Sequence, residues 1–87
     1  MTNIDERIKS FGRLFANRLE SERLEDAINY VNHGERGLAF ETICDHLSEF
    51  KVRITREEYD LAIQICNLLE MDVDDISLLH LKELVLR

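Results

Sequence analysis

The chain has 87 residues, no proline and only three glycines, and 45% of it is apolar. A chain this short forms one domain with a small core, and so few turn-forming residues argue against a sandwich or barrel and for packed helices. Eleven Lys plus Arg stand against eighteen Asp plus Glu, giving a net charge of −7. That balance repels phosphate backbones and anionic lipid, and it serves either plain solubility or a basic protein partner.

The first segment, residues 3–19, carries Ile4, Ile8, Phe11 and Phe15 at helical spacing, widened by Leu14 and Leu19. Asn3 reads as its cap, with Glu6 as a capping-box partner. Gly12 either weakens this helix or permits a close contact. Charges at Asp5, Glu6, Arg7 and Lys9 break any leader pattern, and no apolar run approaches a membrane span, so a cytoplasmic location is expected. In that compartment Cys44 and Cys66 read as thiols.

The second segment, residues 22–33, has Ser21 as its cap and Gly34 as its stop. Leu24, Ala27, Ile28 and Val31 form its inner face, while Glu22, Glu25, Asp26 and His33 point away. The third, residues 36–50, sets Ala39, Phe40, Ile43, Cys44, Leu47 and Phe50 as a core stripe. Glu41, Asp45 and Glu49 follow one another at i, i+4, i+8 on the other side, with Leu38 among them.

Lys51 to Ile54 alternates basic and apolar residues, a hint of extended backbone too short to make a sheet. Thr55 and Glu58 form a capping box at the head of the fourth segment, 56–71. That segment is apolar around most of its circumference, which predicts a central helix. Asp74 reads as the cap of a last helix over 75–86, whose many leucines exceed what one bundle face needs. The expectation is therefore one all-α domain, residues 1–87, built as a small antiparallel bundle of four to five helices.

Charge is distributed unevenly. Residues 20–50 hold two basic and eight acidic side chains, and residues 57–75 hold seven acidic and no basic ones. Residues 51–56 between them carry three basic side chains. Like charges one helical turn apart at Glu41, Asp45 and Glu49 cost a few tenths of a kcal/mol per pair. A helix shaped for folding alone would interleave lysines there. The cost favours a face that meets a cationic partner, where complementary charge speeds encounter and selects the partner.

Catalytic and metal constellations find little support. None of His33, His46 and His80 has a glutamate three residues before it, as di-iron bundles require. Cys44 and Cys66 lie on apolar stripes, where a thiol is inert. Asp72, Asp74 and Asp75 lack the glycine and closing glutamate of a calcium loop, so capping is the better reading. A helix-turn-helix built on the Gly34 turn would aim Glu41, Asp45 and Glu49 at phosphates. No enzyme, cofactor or metal is expected.

The run LEDAINYVNHGERGLAFETICDHLSEF carries a resemblance. It sets Leu24, Glu25, Asp26 and Ala27 before His33, Gly34 and Glu35. Gly37, Leu38, Ala39 and Glu41 follow, then Cys44, Asp45 and Leu47, and later Ile54, Thr55, Glu57, Glu58 and Tyr59. Over residues 20–70 this ordered set resembles the MafI-type immunity proteins of bacterial polymorphic toxin systems, which overlap with immunity proteins of contact-dependent growth inhibition. The resemblance implies a non-enzymatic helical protein that binds and neutralises the C-terminal toxin domain of a secreted toxin. Many such toxins are nucleases with basic clefts. The partner-binding residues expected on this reading are Glu22, Glu25, Asp26, Glu35, Glu41, Asp45 and Glu49, with Tyr30 and Leu38 as desolvated anchors. His33 and Gly34 shape the turn. The alternative is a homo-oligomeric adaptor or regulatory bundle assembled through its apolar last helix.

Overall fold

The computed structural model describes residues 3–71 and 76–86. They form five helices: α1 (Ile4–Arg13), α2 (Ser21–Asn32), α3 (Arg36–Glu49), α4 (Arg56–Leu68) and α5 (Ile76–Leu84). The small all-α bundle expected from the sequence is the architecture found. No helix of the described residues is long and apolar enough to cross a membrane.

Asn3 caps α1 by accepting hydrogen bonds from the backbone N–H of Asp5 and Glu6. The helix ends at Arg13, six residues earlier than the apolar stripe predicts. Beyond it the chain tightens: Phe15 donates to the carbonyl of Gly12, Ala16 to that of Arg13, and Arg18 to that of Phe15. These shorter i→i−3 bonds still turn Phe15 and Leu19 into the core. The stripe therefore reads burial correctly at Ile8, Phe11, Phe15 and Leu19, but Leu14, which widens it, is exposed, and the helix is shorter than the stripe predicts. Gly12 has its close contact, since a Cβ there would lie 3.1 Å from Cδ1 of Ile43 and 3.3 Å from Cγ1 of Ile28. The missing side chain lets α1 settle onto α2 and α3.

The N-cap of α2 is Glu20, which makes no side-chain cap, and Ser21 is already the first helical residue. The expected Ser21 cap is thus absent. Helix α3 packs against α1, α2 and α5, whereas α4 packs against α1 and α5. The central helix is α3, not α4, and the broad apolar surface of α4 leaves Leu61 and Leu68 exposed. Phe50, placed in the core by its spacing, is 47% exposed because it stands at the C-cap, where α3 has already ended.

Three helices finish in the same way. The N–H of Gly34, Lys51 and Glu70 bonds the carbonyl three residues back, at Val31, Ser48 and Asn67. The following N–H, at Glu35, Val52 and Met71, reaches five residues back to Tyr30, Leu47 and Cys66. These are Schellman motifs, and each needs a left-handed residue. Gly34, as the sequence predicts, adopts φ +76° freely; Lys51 and Glu70 adopt 51° and 58° with a Cβ in the way. Glu70 also sets a negative charge at the negative end of α4. Glu70→Gly is expected to stabilise the fold by about 1 kcal/mol. Lys51→Gly gains less, since the lysine charge favours its helix end. A urea midpoint that falls in Glu70→Gly contradicts this account.

The basic connection after α3 is extended at Ile54, which forms a parallel bridge with Val85. Ile54 donates to the carbonyl of Leu84 at 3.1 Å, and Leu86 donates back to Ile54 at 2.8 Å. The capping box of α4 is complete: Thr55 accepts from the N–H of Glu58, and Glu58 accepts from the N–H of Thr55. The proposed Asp74 cap, and Asp72 and Asp75 with it, lie outside the described residues.

Candidate functional site

Helices α2 and α3 form a hairpin about the Gly34 turn. The Arg23 guanidinium lies 4.9 Å from the ring centre of Phe50, so the start of α2 sits beside the end of α3 and the two run antiparallel. Buried Leu24, Ala27, Ile28 and Val31 face inward from α2, and Ala39, Phe40, Ile43, Cys44 and Leu47 from α3. Most residues opposite those stripes are exposed.

Of the nine expected partner-binding residues, eight are exposed: Glu22, Glu25, Asp26, Tyr30, Glu35, Leu38, Asp45 and Glu49. They do not share one face equally. At about 100° per residue, Glu22 and Asp26 stand nearly opposite the core of α2, and Leu38, Asp45 and Glu49 nearly opposite that of α3. Glu25 lies on the flank of α2 beside Ile28, which meets α1 at Gly12. Glu41 is half-buried. It shares a stripe with Ser48, which borders a groove also lined by His80, Glu83 and Leu84 of α5. The cause is the helix itself, because each i+4 step drifts by about 40°. Glu41, Asp45 and Glu49 therefore wind from the α5 flank to the outer surface instead of forming one straight row.

The two arginines of this acidic block are engaged within the molecule. Arg36 pairs with Asp5 of α1 at 3.0 Å, and Arg23 pairs with Glu20 at 3.5 Å while stacking on Phe50. Three large apolar side chains punctuate the surface: Tyr30 is 38% exposed, Leu38 44% and Phe50 47%. Phe50 is the residue that sequence reasoning missed. Its spacing sits at the edge of the core stripe, and only the termination of α3 decides that it faces out.

A second ionic site lies elsewhere. Arg18 donates to both carboxylate oxygens of Glu58, Nη1 to Oε1 at 3.0 Å and Nη2 to Oε2 at 2.6 Å. The same guanidinium donates to the carbonyls of Leu14 and Arg53 and lies 4.7 Å from the Phe15 ring centre. The bond from Arg18 holds the Glu58 carboxyl below its ordinary pKa, against the opposing effect of burial. The cluster ties the irregular turn after α1 to the start of α4.

The thiols of Cys44 and Cys66 are both buried. Among the described residues no three His, Cys, Asp or Glu side chains gather so as to hold a metal ion. No family model, curated protein or solved structure matches this chain.

Proposed function

We propose that this protein is an immunity protein, binding the toxic C-terminal domain of a cognate polymorphic or contact-dependent toxin through the outer surface of the α2–α3 hairpin. The observation that carries this reading is the surface itself: exposed Tyr30 and Leu38 set among exposed carboxylates from both helices. Apolar anchors ringed by charge are the pattern of an interface whose core is desolvated and whose rim steers the encounter. The resemblance over residues 20–70 supplies the partner class, and the acidic rim suits a basic nuclease cleft. Inhibition follows by covering the toxin's active site or by binding beside it and blocking substrate.

The test is co-expression with the toxin domain encoded beside this protein. The reading expects a stable complex and survival of the producing cell. A toxin that kills at the same rate with and without this protein, and forms no complex with it, ends the proposal.

One observation favours the alternative of a homo-oligomeric adaptor. Among the described residues the two most exposed large apolar side chains are Leu79 on α5, at 49%, and Leu86 just beyond it, at 52%. Two such groups are a small patch against the area of a stable dimer. Sedimentation velocity separates the readings: a monomer at tens of micromolar leaves assembly through α5 without support.

A further inference from the structure

A groove of about 320 Å³ runs between α1 and α4, away from the α2–α3 surface. Its apolar walls are Phe11 of α1, Leu14 at the C-cap of that helix, and Leu61 and Ile65 of α4. Leu14 and Leu61 are 44% and 37% exposed, so the walls are open to an occupant. Arg7 lines this groove and also the adjoining depression bordered by Gln64, Asn67 and Leu68, and so stands between the two. Its Nε is buried and has no hydrogen-bond partner. Among the described residues no carboxylate comes within ion-pair distance of Arg7, although Arg18, Arg23, Arg36 and Arg56 all have such a partner. A half-buried cation with no counter-charge beside it is one that an anion bound in the groove would neutralise.

We infer that this groove is a binding site for a small apolar carboxylate, an alkyl-chain acid whose tail lies between Leu14 and Leu61 and whose carboxylate sits on Arg7. The volume falls at the lower end of small-ligand sites. The guanidinium supplies paired donors suited to a carboxylate, and the hydroxyl of Ser10 adds a donor on the rim. Asn3 and the positive end of α1 lie at the same rim, which favours an anion. Glu6 opposes it there and sets a limit on affinity. The inference is independent of the toxin reading.

The experiment titrates the full chain with decanoate, below the concentration at which it forms micelles, and follows backbone amide NMR shifts. The site predicts saturable shifts confined to residues 6–14 and 61–68. Decyltrimethylammonium, with the same tail and the opposite charge, is expected to leave those amides unmoved. Arg7→Met is expected to weaken decanoate binding at least about tenfold, equivalent to about 1.4 kcal/mol, with the rest of the spectrum retained. Glu6→Gln, an exposed change, is expected to tighten it about two- to threefold. No saturable shift, shifts mapping elsewhere, equal binding of the cationic probe, or undiminished binding to Arg7→Met each overturns the site.

Discussion

Glu58→Ala is expected to lower stability by about 2–3 kcal/mol, a large fraction of what a domain of this size holds in reserve. One side chain performs three tasks here. It accepts both guanidinium bonds of Arg18, closes the capping box at Thr55, and fills an almost fully enclosed position beside the turn after α1. Its removal leaves the Arg18 guanidinium without its counter-charge and the Thr55 N–H without its acceptor, and one such lost hydrogen bond costs about 1 kcal/mol. Arg18 is about one-third exposed, so water replaces part of the lost interaction, which keeps the figure below that of a fully buried pair. Urea unfolding with an unchanged slope and a lowered midpoint is the expected signature. A midpoint within about 0.5 kcal/mol of the parent would remove Glu58 from this role.

The pH dependence follows from the direction of the shift. Glu58 titrates lower in the folded chain than in the unfolded one, so at low pH the unfolded chain binds the extra proton. The stabilisation is therefore complete above the unfolded carboxylate pKa of roughly 4.3. It is lost as pH falls through the lower folded value. Glu58→Gln should flatten the stability profile below about pH 5 relative to the parent and leave its slope near pH 7 unchanged.

The second large effect belongs to the α2–α3 surface. On the proposed reading, Leu38→Ala and Tyr30→Ala should each weaken the toxin complex by about 2 kcal/mol, roughly thirtyfold, mainly by speeding dissociation. Reversing charge at Asp26 and Asp45 should act differently, slowing association most strongly at low salt. Glu25, on the α1 flank, and half-buried Glu41 should matter less than either, which the nine residues treated as one set would not have foretold. Binding left intact by Leu38→Ala and by both reversals would move the interface away from this hairpin.

How much of this could be read from the sequence depended on the range of the interaction involved. Apolar spacing identified the buried stripes of α2 and α3, because a helix places residues on faces by counting alone. The Gly34 stop and the Thr55–Glu58 box were equally legible, since their partners lie within five residues. The early end of α1 was not. Its apolar positions continue at helical spacing to Phe15, and only the tightened bonds after Gly12 show that the backbone has changed. The centrality of α3 over α4 was hidden because composition gives the width of an apolar face but not what covers it. The Arg18–Glu58 pair joins residues forty apart, with no local pattern to announce it. At the candidate interface the carboxylates could be read as outward-facing. Their division between outer surface and flank required the packing of α1 and α5.

The bridge between Ile54 and Val85 bears on how the molecule opens. It closes a loop of about thirty residues that contains all of α4 and α5, and closing such a loop costs about 3 kcal/mol in chain entropy. Two backbone hydrogen bonds do not offset that cost. The closure must be sustained by Leu78, Leu81 and Leu84, which α5 buries against the rest of the bundle. The stitch is thus a dependent of the packed helix and cannot outlast it. When α5 lifts, the paired N–H groups of Ile54 and Leu86 lose their partners in the same event, while the bond from Arg18 still holds the Arg53 carbonyl of the basic connection after α3.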